Sequence, residues 1–108
     1  MTKVTFYKDK NDRIKSFKVR GHAGYAEYGS DIVCAAISAL VINTINSIDS
    51  FTKVSTQIET DEDTGFISLE VNEYDEKANL LLLSLLLGLQ NIEKDYRNYL
   101  KIIIRREP

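Results

Sequence analysis

GHAGYAEYGSDIVCAAIS, residues 21–38, contains both the only histidine and the only cysteine of the 108-residue chain. His22 lies in a loop punctuated by Gly21, Gly24 and Gly29, where backbone angles closed to other residues are open. Cys34 lies where that loop gives way to an apolar run. Tyr25 and Tyr28, set between the glycines, fit either a lid or lining over a substrate cleft, or anchors that pack the loop down. Ser30 and Asp31 are helix-capping or first-turn residues. They introduce Ile32, Val33, Ala36, Ile37, Leu40, Val41, Ile45, Ile48 and Phe51, which predict a helix that is apolar on most sides. Such a helix belongs at the centre of a domain, packed under a sheet and against a second helix or another subunit.

Working outward, residues 3–8 alternate, with Val4 and Phe6 on one side and Thr5 and Tyr7 on the other, and residues 13–20 form a second extended run after Asn11 and Asp12. This pattern predicts a hairpin. Ile14 is out of phase with Phe17 and Val19, which implies a bulge or a late start to pairing. Beyond the helix, Val54–Thr60 alternates, Asp61–Gly65 reads as a turn, and Ile67, Leu69 and Val71 share a strand face, predicting a second hairpin. Asn79 to about Asn98 reads as a second helix, leucine-rich at first and then charged, with Glu93, Lys94, Asp95 and Arg97 favouring solvent. Leu100, Ile102 and Ile104 alternate as a last strand.

The order strand, strand, helix, strand, strand, helix, strand predicts a single α+β domain spanning residues 1–108. It would have a mostly antiparallel sheet of about five strands and two main helices packed on it. The size and composition agree, because 44% hydrophobic and 28% charged residues are globular proportions. A chain of this length buries enough surface to fold without staples. Leucine on more than one face of the second helix, with the apolar breadth of the first, exceeds what one sheet face requires and predicts a homodimer.

Fourteen basic against sixteen acidic residues give a net charge of -2, without the broad positive field that nucleic acid attracts, so no direct nucleic-acid binding is predicted. The N-terminal MTKVTFYKDK lacks a secretory signal's apolar core. Leu80–Leu89, broken by Ser84 and Gly88, is far shorter than the roughly 20 residues of a membrane span. No membrane is predicted, and a lone cysteine fits a reducing cytoplasm.

The chemistry of residues 21–38 follows from the needs of a thiol. An ordinary thiol, with a pKa of about 8.5, is mostly protonated at neutral pH. The first turn of a helix, with its unpaired N–H groups and positive dipole end, favours the thiolate. An imidazole from His22 can take the proton and return it to a leaving amine, and backbone amides near the helix start can hold an oxyanion. A lone Cys near an apolar run is more often a small buried core residue and a lone His in a loop more often an exposed turn residue, so spacing alone does not establish catalysis. Asp31 fits a cap or a group that orients protonated His22. Ser38, four residues after Cys34, fits a support for the thiol or a hydroxyl bonded to the preceding turn. One Cys and one His fall short of a zinc ligand set, and no metal or cofactor is predicted. Glu59, Asp61, Glu62 and Asp63 read as a solvated face.

G-H-A at Gly21–Ala23, and S-D-I-V-C-A-A at Ser30–Ala36 with Ser38 following, resemble the bacterial ribosomal-processing cysteine proteases of the Prp family. The similarity extends over essentially the whole domain. The resemblance implies His22 and Cys34 as the catalytic pair, Gly21, Asp31 and Ser38 at supporting positions, and a mobile substrate-binding loop that here carries Gly24, Tyr25, Tyr28 and Gly29. It further implies a homodimeric cytoplasmic endopeptidase. Such an enzyme removes a short N-terminal extension from a large-subunit ribosomal protein precursor, after an aromatic pair in a short hydrophobic motif. The competing readings are a noncatalytic ribosome-associated peptide-binding module and a purely structural dimerisation domain.

Overall fold

A computed structural model describes residues 1–22, 24, 26 and 31–107. Tyr25, Tyr28, Gly29 and Ser30 lie outside the described residues. The chain runs β1 (Thr2–Lys8), β2 (Ile14–Arg20), α1 (Ile32–Phe51), β3 (Thr56–Asp61), β4 (Phe66–Val71), α2 (Glu76–Asp95) and β5 (Leu100–Arg106). The strands form one sheet in the order β3-β4-β2-β1-β5. Pairing is antiparallel throughout except between β1 and β5, which run parallel. The sheet is therefore mixed, with antiparallel pairing in the majority as the two hairpins required.

The alternation in the strands sends Val4, Phe6, Phe17, Val19 and Leu69 to one face, where they are buried with Val33, Ile37, Val41 and Ile48 of α1 and Leu82, Leu85 and Leu89 of α2. The phase fault at Ile14 is resolved by a bulge. Tyr7 pairs with Ser16 and Lys8 pairs with Ile14, leaving Lys15 as the extra residue. That single insertion returns Ile14 to the inner face, where it is buried.

α2 departs from expectation at both ends. It begins at Glu76, three residues before Asn79, because the Asp75 carboxylate accepts the Ala78 N–H at 2.8 Å and caps it there. Asn79 instead accepts the Ile14 N–H at 3.0 Å through its side chain, tying α2 to the start of β2. The helix stops at Asp95, where the Tyr96 N–H turns back to the carbonyls of Ile92 and Glu93. Glu93 is also not a solvent-facing charge: its carboxylate accepts the Ile102 N–H of edge strand β5 at 2.7 Å.

Gly88 lies against α1, since a Cβ there would meet Leu40 Cδ1 at 3.0 Å. By length and composition α1 is apolar enough to cross a membrane, but its Val33, Ile37, Val41 and Ile48 stripe is spent on the core of this domain. What remains outward is apolar as well: Ile32, Ile42 and Phe51 on α1 and Leu80, Leu83 and Leu87 on α2 are exposed, Leu80 to 67%. The expected surplus of helix apolar surface is thus real.

Candidate active site

The site is assembled at the end of the sheet where β2 gives out and α1 begins. Asp31 has extended backbone angles, and its Oδ1 accepts the Cys34 N–H at 2.9 Å while its carbonyl accepts the Ala35 N–H at 3.0 Å. Asp31 is thus the N-cap of α1, held 8% exposed, and Cys34 is the third residue of the helix. The thiol is free and half-buried, at the margin of the core. The Cys34 amide is thus committed to the cap and not to an oxyanion while that bond holds.

One helical turn on, Ser38 lines the same cleft as Cys34. Among the described residues its hydroxyl has no hydrogen bond, whereas Thr44 on the same helix donates to the Leu40 carbonyl at 2.8 Å. Bonding to the preceding turn, one of the two sequence-derived roles for Ser38, is not what the side chain does.

Gly21 ends β2 at φ 80, and a Cβ on it would lie 2.9 Å from the Met1 carbonyl oxygen. A side chain is excluded there on both conformational and steric grounds. The Thr2 hydroxyl donates to the Gly21 carbonyl at 3.5 Å, so the N-terminal strand fixes the backbone from which His22 departs. Gly24, at φ 75, extends the same wall.

His22 and Cys34 line one open cleft of about 760 Å³, together with Gly24, Asp31 and Ser38. A second cavity of about 340 Å³ adjoins the pair, and there His22, Cys34 and Ser38 meet the apolar side chains of Val19, Ile37, Val41, Ile42 and Ile67. From it a groove of about 320 Å³ continues between α1 and the β3–β4 hairpin, past Ile42, Ile45, Ile58 and Ile67. Ile42 and Ile58 stand about half exposed there.

The acidic turn is not merely solvated. Glu62 and Asp63 line the cleft opposite the helix start, and Gly65 borders the adjoining cavity. Sequence reasoning missed all three as site residues because the contact is set by sheet order. β4 lies antiparallel beside β2, so the turn before β4 comes level with the loop after β2, and the Arg20 guanidinium lies 5.0 Å from the Phe66 ring centre. A local reading of D-E-D-T-G carries no trace of this neighbour. Among the described residues no three His, Cys, Asp or Glu side chains are grouped to hold a metal ion.

Comparison with known proteins agrees with this geometry. The family model for cysteine protease Prp matches residues 1–101. The ribosomal processing cysteine protease Prp of Bacillus subtilis (strain 168) is 31% identical over 107 residues, covering 94% of this chain and 96% of the relative. A crystal structure of the essential ribosomal processing protease Prp from Staphylococcus aureus, in complex with a covalently linked product peptide, superposes with a TM-score of 0.94. It is 28% identical and covers 97% of this chain and 100% of its own. The SMU.848 protein of Streptococcus mutans superposes with a TM-score of 0.87 at 32% identity, covering 99% of this chain and 96% of its own. With a thiol at a capped helix start, an imidazole on the same cleft and a match over nearly its whole length, the chain belongs to the Prp family of cysteine proteases.

Proposed function

We propose that this chain is an endopeptidase that removes a short N-terminal extension from a large-subunit ribosomal protein precursor, with Cys34 as nucleophile and His22 as general base and acid. The observation that carries the assignment is the shared cleft: the chain's single cysteine and single histidine line one cavity open to a peptide. The His22 imidazole takes the Sγ proton, and the thiolate attacks the scissile carbonyl carbon to form a tetrahedral adduct. As the adduct collapses, the C–N bond breaks and the imidazolium returns the proton to the departing amine. Water, deprotonated by His22, then attacks the thioester carbonyl carbon; the C–S bond breaks, the imidazolium returns its proton to Sγ, and the carboxylate product leaves.

Asp31 fixes the nucleophile by capping its helix, and its place on the same cleft suits it to hold the imidazolium as well. Ser38 supplies an uncommitted hydroxyl beside the thiol, and Gly21 keeps the His22 arm in register. Gly24 forms part of the cleft wall. The apolar cavity behind the pair and the groove beyond it suit an aromatic residue at the bond and further apolar residues before it.

A homodimer formed through the outward stripes of α1 and α2 accounts for the exposed Leu80, Leu83 and Leu87, and a ribosomal protein precursor as substrate suits a cytoplasmic enzyme. The covalently linked product peptide of the Staphylococcus aureus relative argues against a pure peptide-binding module. The test is cleavage of a precursor peptide by wild type, Cys34→Ser and His22→Ala, with a large loss expected in both variants. Wild-type turnover by either would overturn the assignment. Sedimentation showing only monomer at micromolar concentration would refute the dimer.

A further inference from the structure

The β3–β4 turn reaches His22 through a residue that has no side chain. A Cβ on Gly65 would lie 3.0 Å from His22 Cε1, 3.3 Å from His22 Nδ1 and 3.0 Å from the Gly21 carbonyl oxygen. Gly65 sits at φ 70, the left-handed region that glycine enters freely and asparagine tolerates. The turn behind it is braced: Asp61 Oδ1 accepts the Asp63 N–H at 3.0 Å, and the Thr64 hydroxyl donates to the Asp61 carbonyl at 3.5 Å. It is also anchored through β4, whose register beside β2 brings the turn level with the His22 arm. A braced turn with a bare α-carbon against an imidazole is a shelf.

We propose that Gly65 is a positioning residue for the reaction: its bare α-carbon is the surface on which the His22 ring rests, and it sets how closely the ring approaches Cys34. The inference depends on His22 being the catalytic base. Carbon atoms in ordinary contact stand about 3.5–4.0 Å apart. A side chain at position 65 therefore makes the ring, and the Gly21 carbonyl from which its arm departs, give way by a few tenths of an ångström. Misplacement of a reacting group by about 1 Å can cost on the order of 10²-fold in rate, so a shift of a few tenths is expected to lower kcat by roughly 3- to 10-fold with KM little changed.

Two substitutions separate ring contact from backbone strain. Gly65→Ala introduces both, whereas Gly65→Asn relieves the strain at φ 70 and keeps the contact. Equal loss of kcat in the two, with Gly65→Asn melting close to wild type, supports the shelf; recovery of kcat in Gly65→Asn overturns it. The pH dependence of Cys34 alkylation is the second readout, and in Gly65→Asn it should move toward the profile of His22→Ala. Because the chain has one histidine, its ring resonances are unambiguous, and in the unaltered protein a nuclear Overhauser contact from His22 Hε1 to the Gly65 α-protons is required. Its absence overturns the proposal without any variant. If His22→Ala cleaves peptide like wild type, the catalytic reading itself has failed. If His22→Ala is inactive while Gly65→Asn keeps wild-type kcat and alkylation profile, only the shelf has failed.

Discussion

Replacing Asp31 by alanine removes the carboxylate that caps α1 beside the nucleophile. The bond lost is the 2.9 Å contact from the Cys34 N–H to Asp31 Oδ1, made by a residue that is 8% exposed. Loss of an N-cap costs about 0.5–2 kcal/mol, and hydrogen bonds to charged groups contribute about 1.5–3 kcal/mol. The shelter of this carboxylate puts the expected loss near the upper end of the first range, about 2 kcal/mol. For a domain of this size that is a fall in melting temperature of roughly 8–10 °C. Asp31→Asn keeps an acceptor oxygen at the cap and is expected to recover most of the stability. The two substitutions then report on separate roles. If Asp31 only caps, Asp31→Asn recovers peptide cleavage along with stability. If its charge also holds the protonated imidazole, Asp31→Asn melts near wild type but cleaves slowly. Thermal melting read beside peptide turnover decides between them. An Asp31→Ala protein that melts within a degree of wild type and cleaves at the same rate would refute the account of how the nucleophile is held.

Other consequences are local. Glu93→Ala releases the Ile102 N–H of the edge strand and should cost about 1.5–3 kcal/mol in urea unfolding; Glu93→Gln, which keeps an acceptor, should cost less. Asp12 is bound by the Arg106 guanidinium at 2.6 Å and by Lys8 at 3.4 Å. These partners, Arg106 first, hold its carboxyl below the ordinary carboxylate range. With the folded value depressed, the tether is fully present above the unfolded value of about 3.9 and is lost as pH falls through the folded one. Protection factors for amide exchange in residues 9–13, taken relative to the intrinsic rate at each pH, should therefore fall in acid, and Arg106→Ala should shrink that response. Glu62 and Asp63 place negative charge on the cleft wall, so Glu62→Gln with Asp63→Asn should reduce by a few-fold any preference in kcat/KM for lysine over glutamate near the scissile bond. The effect should fade in high salt.

Local signals carried most of the fold. The two hairpins were legible because alternation is a short-range property of the chain; the phase fault at Ile14 left a bulge or a late start to pairing, and Ser30 or Asp31 as the cap, for the structure to decide. The start of α2 was misplaced because Asp75, a capping residue, precedes residues that do not show the apolar period, whereas the leucines that do show it begin later. Glu93 looked like a surface charge because its partner is a backbone N–H of an edge strand, which no side-chain pattern reveals. The site divided in the same way. His22 and Cys34 stood out as unique reactive residues beside a structural transition, and Asp31 was one of two capping candidates, with Ser30. Glu62, Asp63 and Gly65 were hidden, since only the placement of β4 beside β2 brings their turn to His22. For Ser38, sequence offered a local bond or a role toward the thiol, and the structure eliminates the first.

The central claim is that one thiol and one imidazole on a shared cleft cut a peptide bond. The most direct measurement is mass analysis of the products when a precursor peptide, with an aromatic pair before the bond, is incubated with wild type, Cys34→Ser and His22→Ala. The account predicts two fragments summing to the peptide plus one water for wild type, and intact peptide for both variants over the same time. Fragments formed by Cys34→Ser at the wild-type rate would contradict it.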